Sequence, residues 1–364
     1  MPNLSISYRL ELLREQLSKE KLDFILVSST INRHYLTGWM GDFESGYLLI
    51  TLKKAFLITD SRYTEEAVEK SPHFELREYG LDEKFWNKLF IEAAGKRGGF
   101  EANYLAFAEL KNFKRQGRSI NFIPTTNLIE KLRAIKEAKE IKLLQKAAII
   151  CDQAFHFVLK NVKPGLTERE VAWKMEKFMR EKGAQKNAWD PFIVAAGENS
   201  SKVHYAAGER KLKKGDQVLL DWGCYYQGYA SDISRVIFLG APTEKQSSVY
   251  NLVLEAQRLG MKQIKVGGLT KKVDLAARNF LVSKSKFSFG HGVGHGVGLH
   301  VHELPRVNSK SKEKFSVGNV VTVEPGIYEP GWGGVRIEDM VLVKEKGFEV
   351  LTKSPKELEQ IIVK

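Results

Sequence analysis

Cysteine is scarce in this chain: Cys151 and Cys224 are the only two among its 364 residues. Both lie among apolar neighbours, which is typical of buried free thiols in a reducing compartment. A cysteine-based metal site would need more ligands than these two side chains supply. We therefore expect two free thiols and a functional site built from other residue types.

Long apolar runs are lacking as well. The N-terminus, MPNLSISYRLELLREQ, contains no apolar run suited to a signal peptide. No stretch approaches the roughly 20 apolar residues of a membrane span. These absences predict a cytoplasmic protein without a membrane partner, and 364 residues are enough for two domains of ordinary size.

The formal net charge is high, at +13, and such a charge can indicate a nucleic-acid partner. The lysines, however, fall in small scattered groups on predicted helix faces and turns, and no basic strand is interleaved with aromatic residues. This pattern favours a solvated, lysine-rich surface, so no nucleic-acid partner is expected.

The first 130 residues alternate predicted strands with predicted helices, which indicates an α/β layer domain. The predicted helices are Ser7–Lys19, Tyr63–Glu69, Lys84–Ala94 and Ala108–Arg115, and the predicted strands are Phe24–Val27, Gly46–Leu52, Ala55–Thr59, Phe74–Tyr79 and Gly98–Glu101. Asp60, Arg62 and Tyr63 stand together in TDSRY, for which capping and packing are favoured over a functional role. A boundary is expected near residues 125–131.

A predicted β-hairpin over residues 213–239 carries the first candidate site residues. Its apolar arms flank a turn predicted at Tyr225–Gly228, which would place Asp221 directly opposite Asp232. Opposed residues have Cβ atoms roughly 4.5–5.5 Å apart. Two carboxylates that close, facing a core, would repel unless a cation lay between them. On this hairpin alone, two exposed strand aspartates remain an equal alternative.

A second predicted hairpin over residues 320–343 strengthens the metal hypothesis. Its two apolar arms carry Glu324 and Glu338, and a glycine-dense segment with four histidines, FGHGVGHGVGLHVHE, lies between the hairpins. Four carboxylates and one histidine are enough ligands for two divalent ions that share bridging carboxylates.

The two hairpins end two copies of one predicted unit. In the first copy, a helix over Ala134–Val162 is followed by a helix that Thr167 and Glu170 cap. In the second, a helix opens at Thr243 and Gln246, and another starts at the GGLT stretch. Gly-Leu-Thr precedes Asp221 and Glu324 by the same number of residues. Two helix–helix–hairpin copies would place a metal site at their shared seam.

The chain resembles the pita-bread metallopeptidases, in the branch of Xaa-Pro aminopeptidases and prolidases. The motifs NRHYLTGW, LITDSRY, LRAIKEAKEIKLLQKA, VHYAAGERKLKKGDQVLLDWG, YQGYASDISRV, GHGVGLHVHELPR, TVEPGIY and GVRIEDMVLV follow the family pattern in order over essentially the whole chain. The resemblance implies an α/β fold. A small creatinase/prolidase-type α/β domain would occupy residues 1–130, and a pita-bread α+β catalytic domain, the duplicated helix–helix–hairpin, residues 131–364.

The resemblance implies five metal ligands: Asp221, Asp232, His295, Glu324 and Glu338. In the family pattern Asp232 and Glu338 bridge two metal ions, Asp221 completes one site, and His295 with Glu324 completes the other. Two divalent ions are thus expected, with Mn²⁺ preferred and Co²⁺, Zn²⁺ or Fe²⁺ left open. Non-catalytic relatives have lost ligands of this set, whereas all five residue types are present here.

The resemblance also implies the reaction, which is hydrolysis of the bond before a proline in second position. In the family a hydroxide bridging the metals is the nucleophile and Glu324 accepts its proton. His204 and His302 would bind the substrate carbonyl and oxyanion, and His291 would line the substrate pocket. Arg336 would orient the carboxylates, whereas His300 has no counterpart in the family motif.

Substrate length is left open by these motifs. The leading prediction is an Xaa-Pro aminopeptidase that releases the first residue of longer peptides. The alternative is an Xaa-Pro dipeptidase, a prolidase, in which Arg306 would bind the free carboxylate of a dipeptide. A non-catalytic binding protein of the same fold is the remote alternative. Homodimerisation is expected from the family only.

Overall fold

The computed structural model describes residues 5–42 and 45–363. The chain divides into two compact units, with the division between Arg133 and Ala134. Within the described ranges, every helix is too short or too polar to span a bilayer.

The N-terminal unit is built around a six-stranded mixed sheet with the strand order β4-β3-β2-β1-β5-β6. Strand β1 pairs antiparallel with β2 and parallel with β5. The strands are β1 Phe24–Val27, β2 Tyr47–Thr51, β3 Ala55–Thr59, β4 Glu75–Glu78, β5 Arg97–Glu101 and β6 Asn121–Thr125. The helices are α1 Ile6–Lys19, α2 Thr30–Thr37, α3 Thr64–Lys70, α4 Phe85–Ala93, α5 Phe107–Gln116 and α6 Leu128–Arg133.

Three elements of this unit are missing from the sequence-based prediction: α2, β6 and α6. Helix α2 has only eight residues; it begins after Ser29, whose side chain accepts the Asn32 N–H, and it ends at Gly38 in the left-handed region. Strand β6 includes Pro124 and lies at the sheet edge, where a missing N–H is tolerated. Short, polar or proline-containing segments give weak periodicity, which is why pattern reading omits them.

The described residues of the C-terminal unit form four long helices and four sheets. The helices are α7 Ala138–Asn161, α8 Glu168–Glu181, α9 Glu244–Met261 and α10 Lys271–Lys284. The strands are β7 Lys186–Asn187, β8 Ile193–Ala196, β9 Gln217–Trp222, β10 Cys224–Tyr226, β11 Tyr229–Ala230, β12 Ile233–Leu239, β13 Gly294–Gly296, β14 Glu303–Val307, β15 Val320–Val323, β16 Gly326–Glu329, β17 Gly333–Arg336, β18 Asp339–Val343, β19 Phe348–Val350 and β20 Ile362–Val363. The two larger sheets have the orders β20-β12-β9-β8 and β14-β13-β15-β18-β19.

Helix starts in this unit follow the predicted capping boxes. Thr167 Oγ1 accepts the Glu170 N–H at 3.1 Å before α8, and Thr243 Oγ1 accepts the Gln246 N–H at 3.2 Å before α9. The predicted helix over residues 134–162 is too long, because α7 begins only at Ala138. Both cysteines, Cys151 and Cys224, are free and buried, as predicted.

The register of the first hairpin corrects the sequence-based prediction. Tyr226 pairs with Tyr229, and both residues between them have positive φ angles, 46° at Gln227 and 83° at Gly228. A two-residue turn of this kind is centred one residue later than predicted. Asp221 therefore lies opposite Ser234 rather than opposite Asp232.

The predicted duplication appears in the backbone hydrogen bonds. The Gly165 N–H donates to the Leu212 carbonyl, and the Gly267 N–H donates to the Phe315 carbonyl, both at 2.8 Å. Gly165 and Gly267 share positive φ angles, so Gly267, and not Gly268, is the counterpart of Gly165. One apolar cluster contains buried residues of both copies, among them Val171, Leu219, Val273 and Val321.

Candidate metal centre

Four carboxylates lie at strand ends in the two larger sheets of the C-terminal unit. Asp221 is near the end of β9 and Asp232 immediately precedes β12. Glu324 immediately follows β15 and Glu338 immediately precedes β18. The strands are buried on both faces, so the carboxylates stand where apolar packing gives way to a polar site.

His295 lies on β13, which packs unusually closely between β14 and β15. A Cβ on Gly294 would lie 2.1 Å from the Thr322 carbonyl oxygen, and one on Gly296 would lie 2.0 Å from the Leu304 carbonyl oxygen. Only glycine allows backbones to approach this closely. The glycine residues on either side of His295 therefore let β13 pack closely between β14 and β15.

The ligand atoms of Asp232, His295 and Glu338 all lie within 4.8 Å of one another. His295 Nε2 is 3.5 Å from Asp232 Oδ2 and 3.6 Å from Glu324 Oε1. On the other side of the ring, Nδ1 lies 3.2 Å from the Gly296 carbonyl oxygen, which can only accept a hydrogen bond, so Nδ1 carries the ring proton. The Nε2 lone pair therefore faces the carboxylates, as a metal-ligating imidazole requires.

Burial and mutual repulsion shift the pKa values of these groups strongly. Burial, with the neighbouring carboxylates, raises the pKa of Asp232 and Glu324 well above their ordinary values and raises the pKa of Glu338 to about 8. Burial, with the nearby His302, lowers the pKa of His295 to about 3. A neutral imidazole among crowded carboxylates is an arrangement that divalent cations would relieve.

A second observation, on Asp221, also indicates that these side chains can hold a metal ion. Asp221 Oδ1 is buried, and no hydrogen-bond partner for it is found among the described residues. Its other oxygen, Oδ2, is contacted by Nη2 of Arg336. A buried carboxylate oxygen without a donor is costly unless a cation binds it.

Arg336 links Asp221 and Glu338 through hydrogen bonds. It is 1% exposed, and its Nε donates to Ser234 Oγ at 2.9 Å. Ser234 Oγ in turn donates to Glu338 Oε2 at 2.8 Å. One guanidinium thus contacts Asp221 directly and Glu338 through a hydroxyl.

Tyr328 extends this network to His291. Its hydroxyl accepts from Arg336 Nη1 at 2.9 Å and donates to His291 Nε2 at 3.1 Å. His291 Nδ1 lies 2.8 Å from the Gly292 carbonyl oxygen and so carries the proton. Burial lowers the pKa of His291 to about 4, which keeps the ring neutral.

Sequence reasoning missed both Ser234 and Tyr328. Ser234 lies two residues after Asp232, and strand residues at that spacing share a face, so a signal existed. Tyr328 stands inside the motif TVEPGIY, but its contacts depend on the pairing of β16 with β17.

The other predicted histidines differ in how closely they join the cluster. The ring of His302 lies 4.3 Å from that of His295, centre to centre. His204 is exposed, and its proximity lowers the pKa values of His291 and His302, after burial as the main cause. His300 Nδ1 lies 3.0 Å from the His302 carbonyl oxygen, a local backbone contact.

Arg306 is a predicted site residue that has no observed contact with the cluster among the described residues. It lies on β14, and its backbone N–H donates to Glu313 Oε2 at 2.7 Å. Its side chain is exposed, and none of the hydrogen bonds or ion pairs among the described residues joins its guanidinium to a ligand.

Two family models match this chain. The model of metallopeptidase family M24 matches residues 142–345, and the model of the creatinase/prolidase N-terminal domain matches residues 9–135. Among curated relatives, the uncharacterized peptidase YqhT of Bacillus subtilis is 40% identical over 352 residues, which cover 96% of this chain and 99% of the relative. The Xaa-Pro dipeptidase of Pyrococcus horikoshii is 36% identical over 349 residues, which cover 94% of this chain and 96% of the relative.

Solved structures give the same result. An Xaa-Pro dipeptidase from Bacillus anthracis superposes with a TM-score of 0.94 at 41% identity, over 98% of this chain and 100% of that one. An X-Pro aminopeptidase from Thermotoga maritima superposes with a TM-score of 0.88 at 33% identity, over 97% and 99% of the two chains. The predicted fold class and the prediction of a hydrolase are confirmed, and the family implies divalent metal ions. The chain therefore belongs to metallopeptidase family M24, with a creatinase/prolidase N-terminal domain, in the pita-bread Xaa-Pro peptidase branch.

Proposed function

We propose that this chain is an Xaa-Pro dipeptidase, a prolidase, which hydrolyses the imide bond between a first residue and a following proline with two divalent metal ions. The observation that carries the proposal is the convergence of Asp232, His295 and Glu338 in one buried cluster. Oxygen-rich sites with a single imidazole suit Mn²⁺ or Co²⁺, with Zn²⁺ and Fe²⁺ as further candidates. Mn²⁺ is the ion that we expect to support the highest activity.

The sequence alone ranks an Xaa-Pro aminopeptidase first, but the relatives support the dipeptidase alternative better. The relatives from Pyrococcus horikoshii and Bacillus anthracis are both named Xaa-Pro dipeptidases, and each aligns with this chain almost from end to end. The Thermotoga maritima structure is named an X-Pro aminopeptidase. Longer peptides therefore belong in any test of the proposal.

The metal ions would be held by Asp221, Asp232, His295, Glu324 and Glu338, with Asp232 and Glu338 as the shared ligands. Bound divalent ions supply Lewis acidity toward the scissile carbonyl and toward water. Asp221 is suited to bind a metal, because Arg336 orients its Oδ2 while its Oδ1 has no hydrogen-bond donor among the described residues and is open to a cation.

Glu324 is the residue that would accept a proton from the attacking water and return it to the leaving imide nitrogen. Its Oε1 lies 3.6 Å from His295 Nε2, so the carboxylate stands beside the water that it would deprotonate, as a general base must. His302 and His204 would donate to the substrate carbonyl oxygen as negative charge develops there. His291, held neutral by burial and oriented by Tyr328, would line the substrate pocket.

Arg306 would recognise the free carboxylate of the dipeptide. Its guanidinium is exposed, and its backbone is fixed by Glu313 and by Thr270, whose Oγ1 donates to the Arg306 carbonyl at 2.8 Å. A charged hydrogen bond contributes about 1.5–3 kcal/mol, so Arg306→Ala should raise the KM for Gly-Pro about tenfold or more. Gly-Pro amide lacks the carboxylate and is the matched control, because its cleavage should not respond to the substitution.

The function is tested with metal-stripped protein to which Mn²⁺, Co²⁺ or Zn²⁺ is restored. Free proline released from Gly-Pro and Ala-Pro is measured beside the first residue released from a longer Xaa-Pro-Xaa peptide. Metal-dependent cleavage of the dipeptides alone would support the proposal. Efficient cleavage of the longer peptide would favour the aminopeptidase, and no cleavage with any metal would contradict both.

The homodimer expected from the family is a further part of the proposal. Sedimentation equilibrium of the full chain, with and without Mn²⁺, measures it directly. A monomer at micromolar concentration would contradict the expectation without affecting the assignment of the metal ligands.

A further inference from the structure

Glu168 is a buried carboxylate outside the metal cluster. It is the first residue of α8, and its side chain is 0% exposed. Its backbone N–H donates to the Arg210 carbonyl at 3.1 Å. A carboxylate in the first turn of a helix is stabilised by the helix dipole.

Four donors converge on this carboxylate, and all four belong to the segment 196–208. Oε1 accepts the Ala196 N–H at 2.8 Å and Asn199 Nδ2 at 3.1 Å. Oε2 accepts the Tyr205 hydroxyl at 2.8 Å and the Gly208 N–H at 3.3 Å. Glu168 therefore ties both ends of the thirteen-residue loop 196–208 to one point.

The same loop carries His204. On its other side the loop meets the metal-centre network, because Arg336 Nη1 lies 3.5 Å from the Val203 carbonyl oxygen. Ser200 Oγ accepts the Gly334 N–H at 2.8 Å, which joins the loop to β17. His204 itself is exposed, so the position of its ring depends on how firmly the flanking backbone is held.

We infer that Glu168 is a positioning residue that holds His204 toward the substrate by closing the loop 196–208 around its carboxylate. The inference rests on the proposed peptidase function. The charge of the side chain matters as well as its shape, because every one of the four partners is a donor. An amide in its place would turn one NH₂ group toward two donors.

Glu168→Gln tests this point with almost unchanged volume. We expect kcat for Gly-Pro to fall about 100-fold, because a displacement on the order of 1 Å of a group that binds the reacting carbonyl has such an effect. KM should change much less, because the histidine acts mainly as charge develops. Metal stoichiometry should stay at the wild-type value.

A double-mutant cycle with His204→Ala separates positioning from general destabilisation. If Glu168 acts through His204, adding Glu168→Gln to His204→Ala should change kcat by less than about twofold. A full further loss in that background would overturn the inference. Asp152→Asn is the matched control, because Asp152 also accepts backbone N–H groups, those of Lys353 and Ser354. Its effect on kcat should be the same in the wild type as in His204→Ala.

Hydrogen exchange gives a readout that needs no activity. In Glu168→Gln the peptides covering 196–208 should lose protection, whereas those covering Lys271–Lys284 should not. Tyr205→Phe, which removes one donor and keeps the carboxylate, should give a smaller loss at the same peptides if Glu168→Gln folds poorly. Unchanged protection in both variants would refute the anchoring role. A wild-type protein without peptidase activity would instead refute the proposed function.

Discussion

Individual residues at the metal centre are placed for charge balance as much as for geometry. Asp232, Glu324 and Glu338 are crowded enough that burial and repulsion raise the pKa of each. Arg336 contacts Asp221 and reaches Glu338 only through Ser234. The arginine therefore orients two of the proposed ligands, and the remaining negative charge is left for the proposed cations to balance.

Asp232→Asn should abolish hydrolysis of Gly-Pro and leave the fold intact. The substitution keeps the size of the side chain but removes the charge of a ligand expected to bridge two metals. Because it also relieves repulsion among buried carboxylates, the metal-free variant should be at least as stable as the metal-free wild type. Turnover, metal content and urea unfolding are the measurements. Normal turnover would refute the ligand assignment.

Tyr328→Phe should reduce kcat/KM about 10- to 100-fold, because it removes the hydroxyl that joins Arg336 to His291. Tyr250→Phe is the matched control: Tyr250 is also buried, and its hydroxyl donates to the Lys356 carbonyl at 2.9 Å. The control should lose about 1 kcal/mol of stability and keep its activity. Steady-state kinetics and thermal unfolding of both variants decide the matter, and equal kinetic effects would argue against a role for Tyr328 at the site.

Secondary-structure elements could be predicted wherever a local signal specifies them. The capping boxes at Thr167 and Thr243 start their helices as predicted, since the cap is a contact between residues three apart. The sequence-based prediction places the first hairpin turn one residue too early, because a non-glycine residue with positive φ, here Gln227, gives no sequence signal. Local patterns therefore predicted elements better than register.

The candidate site shows the same limit. The five ligand types and Arg336 are available from motifs of the sequence. Ser234 joins the network because β12 approaches β17 in space, and Tyr328 joins it because β16 pairs with β17. Glu168 gives no sequence signal for its role, since its four partners lie 28 to 40 residues further along the chain. Long-range placement of this kind is decided by tertiary packing.

The junction of β12 and β18 depends on a buried ion pair. Arg235 and Asp339 are both 0% exposed and 2.6 Å apart, and Arg235 Nη1 also donates to the Glu338 carbonyl. Arg235→Met should destabilise the protein by about 3 kcal/mol, because buried Asp339 keeps Lys356 as an ion-pair partner but loses Arg235, and the Glu338 and Ser354 carbonyl oxygens lose this donor. It should also weaken Mn²⁺ binding, since the Glu338 backbone loses a donor.

Arg235→Met combined with Asp339→Leu is the control for this prediction. Replacing both members of a buried pair by apolar side chains is often close to neutral. The double variant should therefore recover most of the stability in urea unfolding, because Lys356, which also pairs with Asp339, is partly exposed and still donates to Gln257 Oε1 at 3.0 Å. If Arg235→Met alone costs less than about 1 kcal/mol, the pair does not hold the two strands together.

The whole C-terminal unit is organised so that its two copies share one core and one site. A single apolar cluster contains residues of both copies, and the proposed ligands come from strand ends in both larger sheets. Metal binding should therefore act as a cross-link between the copies. Metal binding should stabilise the unit from Ala134 onward, because the match to the peptidase family model lies within that unit.

Removing the metal should accordingly destabilise the C-terminal unit and leave the N-terminal sheet unaffected. A ligand that binds only the folded state stabilises by RT ln(1 + [L]/Kd), about 2.7 kcal/mol at a concentration of 100 Kd. Hydrogen exchange with and without Mn²⁺ measures this gain segment by segment. Peptides from β9, β12, β15 and β18 should gain protection with the metal, and those from β1 to β3 should not. The same experiment on Asp232→Asn should show little gain, because a shared ligand is missing. Equal protection with and without Mn²⁺ in the wild type would mean that the carboxylates of the two copies are not joined by a metal.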